Sequence, residues 1–238
     1  MENTTMFGGS LWIWVIFIGF TVISWLISHQ LKSRFQKYSK IPTANGMTGR
    51  DVVEKMLRDN GVTGVKIGSV EGMLTDHYNP SKKTLNLSDS VYGSNSVAAI
   101  GVAAHECGHA IQHQKNYVPL TLRTAIVPVA NIGSTLAWPL ILIGLFFNRS
   151  TGAMLINLGI LCFSFAVLFQ LVTLPVEFNA SRRALHILGE QGILSDSELP
   201  YTRKVLKAAA LTYVASAAAA ILQLLRLVLL FGGRNRDD

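Results

Sequence analysis

Residues 11–27 form an apolar run interrupted only by Gly19, Thr21 and Ser24, and with Phe7 ahead of it a helix of this length can cross a hydrocarbon core of ~30 Å. Three further runs of similar character follow, at 125–147, 154–174 and 208–231. Half of the 238 residues are hydrophobic, too many for an ordinary soluble domain of this size. The expected architecture is therefore mainly α, a polytopic membrane helical bundle of about four spans.

Trp12, Trp14 and Trp25 mark the two interfaces of the first run. It lacks the basic start and the small-residue cleavage site of a secretory signal, so it reads as an uncleaved anchor. Lys32, Arg34, Lys37 and Lys40 follow it and no basic side chain precedes it, which places the N-terminus outside and the following segment in the cytoplasm. The net charge of +7 is explained by this orientation; the basic residues flank apolar runs and form no tract suited to nucleic acid. The second and third runs make a membrane hairpin joined by a turn over 148–152. The fourth is Ala-rich in its first half and carries Arg226, which could snorkel to an interface or face other helices. Kinks are expected at Pro128, Pro139 and Pro175. The two cysteines, Cys107 and Cys162, fall in predicted helices and make no disulfide framework.

Between the first two spans lies a block suited to a small sheet and two helices. Thr48-Gly49-Arg50-Asp51 has the pattern of a capping box, opening a helix with apolar Val52, Val53, Met56 and Leu57 that Gly61 closes. Residues 65–70, 73–78 and 84–87 have strand character, with a turn over 79–83, and predict a small antiparallel sheet. Ser94 or Ser96 can cap a second helix reaching about His113.

That helix contains His105-Glu106-Cys107-Gly108-His109. Residues four apart share a helical face, separated by one turn of ~5.4 Å, so both imidazoles can hold one tetrahedral ion at ~2.1 Å per nitrogen. Glu106 has the neighbouring azimuth, near enough to take a proton from water without being a ligand. A catalytic zinc needs a third protein ligand and an open position. Glu177 stands out, because a carboxylate so near an apolar run is costly unless paired or bound to metal. Two predicted spans separate His109 from Glu177, an even number, which returns the chain to the same side. His113 continues the row but lies about 11 Å from His105 along the helix axis, too far to share the ion. Arg182, Arg183 and His186 are candidates for donating to an oxyanion. His77 and Tyr78, with Asp76, sit on a strand whose edge could pair with an extended peptide. Cys107 is expected to pack against the next helix.

His105-Glu106-Cys107-Gly108-His109 together with Glu177-Phe178-Asn179-Ala180-Ser181-Arg182-Arg183-Ala184 resembles the bacterial YugP-type neutral zinc metallopeptidases over nearly the whole length. Supporting stretches run over 75–80, 103–112 and 208–215. The order of anchor, metal helix, hairpin and glutamate is also similar to that of the HtpX-type membrane proteases, from which the chain departs at Ser181, where those proteins typically have an Asp. The resemblance implies Zn2+ held by His105, His109 and Glu177, Glu106 as general base, and a small α+β zincin-like catalytic block on the cytoplasmic side of a bacterial cell membrane. The expected organisation is a membrane anchor (1–31), a cytoplasmic block (32–124), a transmembrane hairpin (125–175), a third-ligand helix with a cytoplasmic segment (176–207), and a C-terminal membrane helix and tail (208–238). The expected partners are protein or peptide substrates that are membrane-associated or unfolded, the lipid bilayer, and a membrane partner protein or a second copy; nucleic acid is not expected. The alternative is a noncatalytic zinc-binding scaffold or regulator, against which the intact Glu106 argues.

Overall fold

The computed structural model describes residues 3–231, with side chains from Trp14 onward. The side chain of Trp12 and the tail 232–238 lie outside that description. The elements run α1 (Asn3–Tyr38), α2 (Gly49–Asp59), β1 (Lys66–Val70), β2 (His77–Asn79), β3 (Thr84–Ser88), the single turn α3 (Asp89–Tyr92), α4 (Val97–Gln114), α5 (Val118–Gly144), α6 (Arg149–Glu190) and α7 (Leu199–Phe231). By length and composition α1, α5, α6 and α7 can each cross a membrane.

The chain divides into two compact units. One takes α1 as far as Leu26, Leu122–Leu174, and α7 from Tyr213; the other takes Ile27–Thr121 and Pro175–Thr212. In the first unit large apolar side chains face outward, among them Trp25, Phe146 and Leu229, as expected of a surface whose solvent is lipid. Its helices meet through small residues. A Cβ at Gly133 of α5 would lie 2.5 Å from the Cys162 carbonyl oxygen of α6. The Arg226 guanidinium faces another helix: it sits 4.2 Å from the ring centre of Trp14 and 5.1 Å from that of Phe17 on α1, a cation–π arrangement that shelters the charge on an apolar helix.

The hairpin turn is shorter than its polar residues predict. Asn148 Oδ1 accepts from the Thr151 N–H at 3.0 Å, so Asn148 caps α6 and the next four residues become its first turn. Pro175 does not end this helix either. The apolar run and Glu177 thus belong to one helical segment of 42 residues.

The second unit has an ordinary buried core of Val52, Val53, Met56, Leu85, Leu87 and Ile100, each fully shielded. Local signals set its helices. Thr48 accepts from the Asp51 N–H while Asp51 accepts from the Thr48 N–H, and Gly61 adopts φ +68° after α2. Ser96 is the cap of α4, accepting from the Ala99 N–H at 3.2 Å.

The sheet is mixed and not antiparallel: its order is β1-β3-β2, with β1 parallel and β2 antiparallel to β3. Residues 71–76 form a connection in place of the expected strand start. Gly72 (φ +108°) and Leu74 (φ +60°) turn the backbone there, and the length gained lets β1 lie on the far side of β3. Asp76 precedes β2 and pins the connection, its carboxylate accepting from the Ser88 N–H at 2.7 Å and from the Ser88 hydroxyl at 2.9 Å. Strand β2 is left at the sheet edge.

Candidate metal centre

Helix α4 carries His105 and His109 on one face, and α6 brings Glu177 against them. The approach depends on Gly108: a Cβ there would lie 2.6 Å from the Ala180 carbonyl oxygen, so only a glycine lets α6 pass this close. Glu177 Oε2 lies 3.2 Å from His105 Nε2 and 3.5 Å from His109 Nε2, and the imidazoles stand nearly perpendicular with centroids 4.8 Å apart. All three side chains are buried. Two donors held ~2.1 Å from an ion at the tetrahedral angle are about 3.4 Å apart. The two carboxylate–imidazole separations fit that figure, and two imidazoles with a carboxylate are a donor set suited to zinc. Among the described residues this is the only group of three His, Cys, Asp or Glu side chains close enough to share an ion.

Glu106 is as buried as the histidines, at 8% exposure. Burial pushes its carboxyl up to about 7; His105 opposes the rise, Glu177 and Asp76 add to it, and a hydrogen bond from the Tyr78 backbone N–H opposes it again. A carboxyl so placed can hold or release a proton near neutrality.

The outer nitrogens of both imidazoles are held. Ser181 Oγ lies 3.0 Å from His105 Nδ1, so a hydroxyl supports that ring at the position where the sequence departs from the HtpX-type pattern. Gln112 Oε1 lies 3.0 Å from His109 Nδ1, and Gln112 Nε2 donates to the Val176 carbonyl. Sequence reasoning assigned no role to Gln112 or Asn179. The available signals were a polar Gln three residues beyond His109 and an Asn-Arg pair at helical spacing.

The remaining candidates are scattered. His77 is exposed, its Nδ1 2.9 Å from the Thr75 carbonyl and its Nε2 3.1 Å from Asn86 Nδ2. The Tyr78 hydroxyl is engaged with His113 Nδ1 at 2.8 Å. Arg183 donates to Asn179 Oδ1 at 2.7 Å, and His186 lies 3.3 Å from Glu190. Arg182 and His186 line a cavity of about 810 Å3 together with Phe178, Ser181, Arg203 and Lys207. The buried Cys107 thiol faces the Val53 backbone carbonyl of α2 at 3.8 Å.

The chain combines four helices long and apolar enough to cross a membrane with a buried His/His/Glu set that could hold a metal ion and a buried glutamate next to it in sequence. Residues 13–232 match the family described as "Putative neutral zinc metallopeptidase", and the chain belongs to that family. It is 45% identical over 228 residues to "Putative membrane protease YugP" of Bacillus subtilis (strain 168), covering 94% of this chain and 100% of that protein. No solved structure matches it.

Proposed function

We propose that this chain is a membrane-embedded zinc metalloendopeptidase in which His105, His109 and Glu177 hold the metal and Glu106 is the general base. The observation that carries the reading is the meeting of two imidazoles and a carboxylate, all buried, whose ligand atoms lie within 4.8 Å of one another, with Glu106 next to His105 in sequence. A zinc ion bound there would supply Lewis acidity, lowering the pKa of water and polarising a peptide carbonyl. Glu106 takes the proton from the attacking water and passes it to the departing amide nitrogen.

The edge strand β2 fits this chemistry. Its Tyr78 backbone lies near enough to Glu106 to act on its carboxyl, so an extended peptide added at that edge would run past the base. Residues 32–124 serve as a zincin-like cytoplasmic block between the anchor (1–31) and the hairpin (125–175); residues 176–207 bring the third ligand, and 208–238 form the last membrane helix and tail. The positive charge after the first span supports a cytoplasmic active site and an outside N-terminus. Substrates on this reading are membrane-associated or unfolded chains near the cytoplasmic face. Cleavage of a membrane protein substrate by the purified protein in liposomes tests it. Glu106→Gln should lower the rate by ~10^2 to 10^4-fold with zinc content unchanged. Stoichiometric zinc without any chelator-sensitive cleavage by the wild type would favour the noncatalytic scaffold instead.

A further inference from the structure

Gln112 is fully buried and touches the metal centre only from behind, yet its hydrogen bonds have a direction that determines what His109 can do. Its Nε2 donates to the Val176 carbonyl at 2.8 Å and to Asn179 Oδ1 at 3.0 Å, and Asn179 Oδ1 accepts from Arg183 Nε at 2.7 Å. A guanidinium can only donate and a backbone carbonyl can only accept. Arg183 therefore turns the Asn179 oxygen toward Gln112, and that oxygen and the Val176 carbonyl both require the Gln112 nitrogen. The Gln112 oxygen is left facing His109 Nδ1 at 3.0 Å. An acceptor in that place requires a hydrogen on Nδ1, and in a neutral imidazole the other nitrogen then carries only a lone pair. It is this Nε2 that faces Glu177 Oε2 at 3.5 Å, one acceptor opposite another with room for a cation between them.

We propose that Arg183, Asn179 and Gln112 are positioning residues that lock His109 in its Nδ1–H tautomer, so that its Nε2 lone pair is presented to zinc before the ion arrives. The proposal rests on the reading of His105, His109 and Glu177 as the zinc site. His105 has no equivalent lock, because the Ser181 hydroxyl at its Nδ1 can donate or accept. The two imidazoles are thus unequal: His109 is fixed in advance, and His105 takes the tautomer that its surroundings demand. Arg183 acts on the ring through two amides, Asn179 and Gln112, and needs no contact with substrate.

The test uses the full chain in detergent, labelled with 15N-histidine, stripped of metal and held at about pH 8, above the ordinary imidazole range. The nitrogen shifts of His109, assigned by their loss in His109→Ala, should report hydrogen on Nδ1. Competition with a chromophoric chelator then measures zinc affinity. Gln112→Met and Asn179→Leu should bind zinc 10- to 100-fold more weakly and show a mixed His109 tautomer. Asn179→Asp, which still accepts from both Arg183 and Gln112, should bind as wild type does. A wild type that binds no zinc would remove the metal site itself. A wild type that binds zinc but carries the His109 proton on Nε2 when metal-free would overturn the lock alone, as would Asn179→Leu with unchanged affinity and tautomer. The wild-type tautomer can be read even if the variants fail to fold.

Discussion

The side chains around the site make demands on one another that single substitutions can expose. Ser181 touches His105 through one hydrogen bond, so Ser181→Ala should weaken zinc binding about tenfold, the lower end of the effect of removing a partner that orients a metal-ligating histidine. Chelator competition reads this directly, and an unchanged affinity would show that the hydroxyl does not support the ring. Gly108→Ala should do more harm than its single methyl suggests. The added carbon meets the Ala180 backbone, which cannot rotate away, so α6 must shift and carry Glu177 with it. A loss of about 1–3 kcal/mol of stability is expected from the overpacking, together with weaker zinc binding. Thermal unfolding and metal titration on the same preparation would separate the two effects.

At the scale of the elements, sequence was informative wherever the deciding interaction was local. The capping box at Thr48 and the cap at Ser96 involve neighbours three residues apart, and both were legible. Thr48→Ala should accordingly cost about 1 kcal/mol, measurable by denaturant unfolding. The sheet was less legible because strand pairing depends on partners distant in sequence: residues 73–76 have strand-like composition, but Gly72 and Leu74 turn the chain and Asp76 ties it to Ser88. Pro175 and the polar residues after Asn148 suggested breaks in α6 for the same reason, since intrinsic preference cannot reveal what the surrounding packing sustains. His105 and His109 could be paired from their spacing, and Glu177 singled out from the cost of a carboxylate beside an apolar run, with the even number of intervening spans as a check; the three side chains do lie close together. Gln112, Asn179 and Ser181 could not be given roles, because those arise only when α4 and α6 are brought together.

Over the whole molecule, four apolar helices and a compact block with its own core are joined by helices that continue from one unit into the other. The block's core surrounds α4, so metal binding and folding should be linked. A ligand present at 100 times its Kd, binding only the native state, adds about 2.7 kcal/mol. Stripping the metal should lower the thermal midpoint of the detergent-solubilised protein, and returning zinc should restore it; an identical midpoint in both states would mean that the ion is not bound by the folded block. The account stands or falls on whether a carboxylate beyond the hairpin completes a site begun by two imidazoles before it. Metal analysis of purified wild type beside His109→Ala and Glu177→Ala decides this most directly: about one zinc per chain should be found in the wild type and little in either variant. Full zinc occupancy with wild-type affinity in Glu177→Ala would contradict it.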